Sequence, residues 1–166
     1  LWVGGEGGME AELVQRLNIP FKAIPAAGLH GVGMRSLPSN LSKLSKGVNA
    51  ARKILTEFKP NAILYTGGFI AAPMAVAAGR TPSLLFVPDI EPGLAIKFIA
   101  RFVRTIAVTS QHTATYFQRS HKIIETGYPV RTSLQKIDRR EAISLFSFEE
   151  DLPVALFFGG SKGAHS

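Results

Sequence analysis

Two glycine-bearing turns carry the residue types best suited to chemistry, and each follows a short apolar run. In LYTGGFIAAPMA, residues 64–75, Gly67 and Gly68 separate a strand-like run from a segment of small residues. In LFFGGSKGAHS, residues 156–166, Gly159, Gly160, Ser161, Lys162 and Gly163 offer approachable backbone N–H groups, a hydroxyl and an ammonium. Those are the parts of a phosphate cradle at a helix N-terminus. Such turns also simply join strands to helices. For Gly67 and Gly68 the competing reading is packing, because Ala71, Ala72, Pro73 and Ala75 let a helix approach a sheet closely. Asp89 is the leading carboxylate for catalysis, since it follows the apolar run Ser83–Val87 at the expected carboxyl edge. Its rival role is to cap the next helix, a part that Glu91 could also fill.

The segment 94–104 predicts a helix with Lys97, Arg101 and Arg104 on one face and Leu94, Phe98 and Phe102 on an adjacent one. Long basic side chains can reach lipid phosphates while aromatic rings enter the acyl boundary, each cation adding about 1 kcal/mol near an anionic membrane. Lys97, Phe98, Arg101, Phe102 and Arg104 are therefore candidates for a membrane-facing surface. The alternative is a helix that packs its apolar stripe on a sheet and leaves a solvated basic edge. Arg131 follows a strand, where an arginine usually pairs with a surface carboxylate. His30 and His112 read as polar surface residues, and the four histidines, with His121 and His165, lack metal-ligand spacing, so no metal site is expected.

These groups need elements to hold them. Short apolar runs bounded by glycine, proline or polar residues occur at 1–3, 21–24, 62–65, 83–87, 105–108, 122–125 and 154–158, each a candidate buried strand. Helical patterns lie between most of them, at 9–17, 40–58, 71–79, 94–103, 112–118 and 139–146. The longest repeats Leu41, Leu44, Val48, Ala51 and Leu55 at helical spacing, with Ser39 or Asn40 as its cap. Strands alternating with helices imply an α/β fold, a Rossmann-like parallel sheet with helices on both faces. Ligands in such folds bind at the carboxyl ends of the strands, where both glycine turns fall.

Composition narrows the function classes. The 166 residues are 46% hydrophobic, which suits a buried core and excludes a disordered chain. Without cysteine there is no disulfide, thiolate metal site or cysteine nucleophile. The net charge of +7 points to an anionic partner: nucleic acid, lipid headgroups or a diphosphate all fit. No module interleaves basic residues with stacking aromatics, so no nucleic-acid partner is expected. Neither turn spells Gly-x-Gly-x-x-Gly with an acidic residue at ribose distance, which speaks against a dinucleotide oxidoreductase. No run reaches the roughly 18 apolar residues of a membrane span. Residues 1–3 read as the end of a strand, so sequence before Leu1 is expected. The charged, proline-bearing stretch at 132–153 predicts a domain boundary, with one domain at 1–150 and the start of another at 151–166.

Taken in order, LWVGGEGGMEAELV at 1–14, AAGLHGVG at 26–33, PNAILYTGGFIAAPMAVAA at 60–78, PGLA at 92–95, TGYPVR at 126–131 and the terminal LFFGGSKGAHS form a specific set. That set resembles the MurG family, the GT-B enzymes of glycosyltransferase family 28, over nearly the whole chain. The resemblance implies an inverting transferase of peptidoglycan synthesis that adds N-acetylglucosamine from UDP-N-acetylglucosamine to a polyprenyl-diphosphate lipid acceptor. It places the protein peripherally on the cytoplasmic face of the bacterial plasma membrane and needs no cofactor. By the same resemblance, residues 1–150 are an acceptor domain lacking its first strand and helix. Residues 151–166 then open a donor domain, in which Gly159, Gly160, Ser161 and Gly163, with Arg131, hold the donor diphosphate. Gly67 and Gly68 would admit the acceptor diphosphate, and the general base would lie upstream of Leu1. The chain alone is then expected to be inactive.

The chain departs from the family pattern at Phe86, Val87, Pro88 and Asp89, where His-Glu-Gln-Asn is usual, and at Tyr128, where Asn is usual. An ionised Asp89 accepts but cannot donate a hydrogen bond to a sugar hydroxyl. A related lipid glycosyltransferase with another acceptor, and a non-catalytic sugar-nucleotide or lipid-binding module, are the alternative functions.

Overall fold

A computed structural model describes residues 1–8, 10–25, 37–131, 138–149 and 151–157. The element order is β1 (Trp2–Gly5), α1 (Glu10–Arg16), β2 (Phe21–Ile24), α2 (Leu37–Phe58), β3 (Ile63–Tyr65), α3 (Ala71–Ala77), β4 (Ser83–Val87), α4 (Leu94–Ala100), β5 (Thr105–Val108), a 3-10 helix (Gln111–Tyr116), β6 (Lys122–Glu125) and α5 (Arg139–Phe146). The chain divides into two compact units, Leu1–Tyr128 and Pro129–Ser166.

Local chemistry sets most boundaries in the first unit. Acidic Glu10 and Glu12 occupy the first turn of α1 and Arg16 the last, matching the helix dipole. Asn18 then adopts a left-handed conformation at φ 55° and ends the helix ahead of Pro20. Lys59 does the same after α2 at φ 47°, its N–H bonding the Leu55 carbonyl at 2.9 Å, with Pro60 preventing continuation. Pro73 is buried within α3, yet it stands in the first turn, where a missing N–H leaves no helix bond unmade. Ser39 and Asn40 lie inside α2, which begins at Leu37, so neither stands at the boundary expected of a cap.

All described strand pairs are parallel, as the alternation of strands and helices requires. The expected single sheet is instead two: β1 with β2, and a four-stranded sheet in the order β3-β4-β5-β6. Among the described residues β1 pairs only with β2 and β3 only with β4, so the ladder is interrupted between them. The core rests on β4 and β5, where Leu85, Val87, Ile106 and Val108 are all fully buried, together with Ile99 of α4 and Ile24 of β2. In β5 three successive residues, Ile106, Ala107 and Val108, are buried, as expected for a strand covered on both faces. β6 exposes three of its four residues and ends the sheet.

Within the second unit, Asp138 caps α5 by accepting a 2.9 Å bond from Arg140 N, and Glu141 completes an acidic first turn. Ser147, at φ 54°, closes the helix. The Phe146 and Phe148 rings stack at 5.7 Å, and Arg139 Nη2 donates to the Leu152 carbonyl at 3.3 Å. The strand expected at 154–158 does not form over 154–157, where Leu156 and Phe157 are 79% and 91% exposed. A strand exists only through a ladder, and no described strand pairs with this segment. Residues 26–36, 132–137 and 158–166, with the expected phosphate turn at 159–163 and His30 among them, lie outside the described residues.

Two outcomes test this account. Leu85→Ala is expected to lower unfolding free energy in a urea titration by about 2–5 kcal/mol, while Leu13→Ala, at an exposed site, changes it by less than about 0.5 kcal/mol. Glu57 of α2 accepts a 2.6 Å hydrogen bond from Lys22 of β2, which with the positive charges of Lys22 and Lys53 holds its carboxyl below the ordinary 4.5. A depressed folded pKa means that the pair stabilises the fold above the unfolded value and that this contribution is lost as pH falls through the folded one. An NMR titration is expected to place the Glu57 midpoint below 4.5, and Lys22→Ala to raise it.

Candidate functional site

Because β3 to β6 run parallel, the residues after each strand gather at one edge of the sheet. The first group there is Thr66, Gly67 and Gly68, after β3. Gly67 and Gly68 have φ of 101° and 79°, conformations that glycine adopts without a Cβ penalty. A Cβ on Gly67 would lie 2.7 Å from Ile96 Cδ1 of α4, so the turn is packed against that helix on one side. Nothing lies within 4 Å of the corresponding Cβ position on Gly68, which leaves open space beside the turn. Gly67 thus meets the packing reading of this turn, while Gly68 is exposed beside open space.

Asp89 follows β4 at the same edge. It is exposed, and among the described residues its carboxylate has no hydrogen-bond or ion-pair partner. The capping role considered for Asp89 and Glu91 does not occur, since the N-cap of α4 is Gly93 and no side chain caps it. Glu91 instead interacts with Tyr116, whose phenol is pushed up first by desolvation and then by the charge and hydrogen bond of Glu91. Lys97 Nζ stands 5.3 Å from the centroid of that same ring, a cation–π contact.

Two threonines hold the edge around Asp89. Thr109, directly after β5, donates to the Pro88 carbonyl at 3.2 Å, and Thr126, directly after β6, donates to the Val108 carbonyl at 3.5 Å and to the Gly127 carbonyl at 3.3 Å. Each ties the end of its strand to the end of the preceding one, and the first fixes the residue next to Asp89. The sequence reading passed over both, although a threonine following each of two apolar strands at corresponding positions was the available signal. It also passed over Glu10, whose Oε1 accepts a 3.1 Å bond from Gly5 N at the carboxyl end of β1.

The basic cluster arises differently from its expectation. α4 ends at Ala100, so Lys97, Arg101 and Arg104 do not share a helical face. The helix stops because the chain tightens: Arg101 N and Phe102 N bond the carbonyls of Phe98 and Ile99, three residues back, at 3.2 and 2.9 Å. This turn still brings the three cations together, along a cleft of about 650 Å³ that Tyr116 and His121 also line. His121 closes its floor, with Nε2 3.0 Å from the Ala100 carbonyl and Nδ1 3.1 Å from that of Gln118. Phe98 and Phe102 pack together at 5.3 Å, and Phe102 and Leu94 remain 42% and 65% exposed beside the cations. The helix expected at 112–118 is a 3-10 helix over Gln111–Tyr116, started by Ser110 accepting from His112 N at 3.3 Å.

Arg131 is exposed and lies in the second unit. Among the described residues no group of three or more His, Cys, Asp or Glu could hold a metal ion, and no described helix is long and apolar enough to cross a membrane.

Comparison with known proteins fits this architecture. The chain is 37% identical over its whole length to a protein of Roseiflexus sp., named as a UDP-N-acetylglucosamine--N-acetylmuramyl-(pentapeptide) pyrophosphoryl-undecaprenol N-acetylglucosamine transferase, of which it covers 42%. It is 31% identical over 99% of its length to the protein of the same name from Bacillus subtilis, covering 46% of that chain. It thus spans less than half the length of these curated relatives. The crystal structure of Acinetobacter baumannii MurG superposes with a TM-score of 0.61 over 80% of this chain and 37% of that one, at 23% identity, a likeness of fold. The description of the glycosyltransferase family 28 N-terminal domain matches residues 2–108, more than half of the sequence, and the chain belongs to that family.

Proposed function

We propose that this chain is the acceptor-binding part of an inverting glycosyltransferase that moves N-acetylglucosamine from UDP-N-acetylglucosamine to a polyprenyl-diphosphate-linked sugar, forming lipid II from lipid I. The observation that carries this reading is the match of the whole chain to relatives bearing that transferase name, at 31–37% identity. The arrangement at the carboxyl edge supports it. In such a transfer a hydroxyl oxygen of the acceptor attacks the anomeric carbon of the donor, the bond to the UDP oxygen breaks, and a base takes the hydroxyl proton. The departing diphosphate is stabilised by backbone N–H groups and cations.

In this reading residues 1–150 form the acceptor domain and 151–166 begin the donor domain. The Gly67-Gly68 turn admits the acceptor diphosphate through the open space beside Gly68. Asp89 accepts a hydrogen bond from a sugar hydroxyl, and its freedom from protein partners leaves its oxygens available. Gly159, Gly160, Ser161 and Gly163, with Arg131, contribute to holding the donor diphosphate. The cations of the cleft between α4 and the 3-10 helix, Lys97, Arg101 and Arg104, meet anionic headgroups, with Phe98 and Phe102 at the acyl boundary. The protein then acts peripherally, on the cytoplasmic face of the bacterial plasma membrane.

Two measurements on the full-length protein containing this chain test the proposal. Asp89→Ala is expected to lower kcat/KM for transfer to lipid I by on the order of 10²-fold, and a change within about twofold would remove Asp89 from the site. Replacing Lys97, Arg101 and Arg104 together by glutamate is expected to reduce cosedimentation with phosphatidylglycerol vesicles while leaving the urea midpoint near that of the parent. Unchanged cosedimentation would dismiss this surface as the membrane contact.

A further inference from the structure

The exits of β4 and β6 are tied together by a short relay of hydrogen bonds. Thr109 Oγ1 donates to the Pro88 carbonyl, and Thr126 Oγ1 reaches the carbonyls of Val108 and Gly127. The relay thus runs from the residue before Asp89 to the residue before Tyr128. Thr126 N adds a 2.9 Å bond to the same Val108 carbonyl. Gly127 then takes a left-handed φ of 68°, a conformation that glycine adopts without a Cβ penalty, and the chain changes direction there.

Tyr128 turns back toward β4, and both belong to the first compact unit. Its ring centroid lies 6.3 Å from that of Phe86, at an interplanar angle of 65°, an edge-to-face contact. Phe86, Ala107 and Ile124 are aligned in register, so their side chains leave one face of the sheet, opposite Leu85, Val87, Ile106 and Val108. Ala107 is the small member of that row. It lets the two rings meet across β5, although β4 and β6 stand two strand spacings of about 4.8 Å apart. An edge-to-face pair covers at most one face of either ring, and Tyr128 stays 66% exposed. Phe86 therefore restrains the Tyr128 ring and leaves a face of it open.

We propose that Tyr128, braced by Phe86, is a stacking platform for the pyranose ring of the acceptor, the ring whose hydroxyl Asp89 receives. An open aromatic face and an exposed carboxylate at one sheet edge form an amphipathic pair. A pyranose has the same two characters, with C–H bonds across one face and hydroxyls around its rim. The negative face of an aromatic ring attracts those polarised C–H groups, and an ionised Asp accepts from the hydroxyls. Asp89 also repels a phosphate, so the group seated here is the sugar and not the diphosphate. The inference rests on reading this edge as an acceptor site, and it adds the residue that selects a ring with an unencumbered C–H face. Tyr128 makes and breaks no bond in this role. Its loss weakens acceptor binding and spares the turnover of the bound complex.

Steady-state kinetics of the full-length protein containing this chain, with lipid I and UDP-N-acetylglucosamine varied separately, tests the platform. Tyr128→Ala is expected to raise KM for lipid I about 10-fold, with kcat and the donor KM changed by less than about twofold. Tyr128→Phe keeps the ring and is expected to stay within about twofold of the parent in all three. If the parent transfers to lipid I, an unchanged lipid I KM in Tyr128→Ala overturns the platform and leaves the transferase reading standing. A rise confined to the donor KM overturns it as well, and so does an equal loss in Tyr128→Phe, which would assign the contact to the hydroxyl. If the parent transfers nothing to lipid I, the transferase reading fails, and saturation-transfer NMR with the methyl glycoside of N-acetylmuramic acid decides the platform. Saturation of the sugar C–H protons that Tyr128→Ala abolishes supports it; saturation that survives the substitution, or none in the parent, overturns it.

Discussion

The parallel register of β3 to β6 is the constraint on which the rest of the structure depends. Ser83 of β4 aligns with Ile63 of β3, and Thr105 of β5 aligns with both Leu84 and Lys122. Since every strand runs the same way, each must be followed by a crossover, and each strand's exit falls at one edge. Gly67, Asp89, Thr109 and Thr126 come from segments spread over 60 residues, yet they are neighbours for that single reason. The buried residues Leu85 and Val87 of β4 and Ile106 and Val108 of β5 then set the energy scale, because none of them is exposed to solvent.

Much of this was legible before any coordinates. The runs at 83–87, 105–108 and 122–125 became strands with the expected ends, and α5 occupies the expected 139–146, because short apolar runs and helical spacing are strong local signals. The end of the basic helix was not legible. Lys97, Arg101 and Arg104 keep helical spacing in sequence, but backbone bonds to carbonyls three residues back stop the helix at Ala100. The cations converge through that turn and the neighbouring 3-10 helix, a tertiary result that periodicity cannot carry. The division into two sheets was also hidden, because strand order depends on which edges meet and not on where strands lie in the sequence.

Among the site residues, polar groups without an obvious motif were the ones missed. Asp89 stood out as a lone carboxylate after an apolar strand. Glu10, by contrast, looked like a helix residue in the first turn of α1, and only the fold shows it reaching back to Gly5 N. Tyr116 and Glu91 are 25 positions apart and share a contact only because the 3-10 helix returns beside the loop after β4.

The contact between Gly67 and Ile96 joins two places that chemistry would treat separately. Ile96 is one residue from Lys97, which lines the basic cleft, while its Cδ1 rests where a side chain on Gly67 would have to go. α4 therefore carries Lys97 toward the cleft and rests on the glycine turn through the neighbouring Ile96. Any residue but glycine at 67 would have to push Ile96 aside, so the identity of one turn residue at the sheet edge is fixed by a helix whose next residue belongs to the basic cleft.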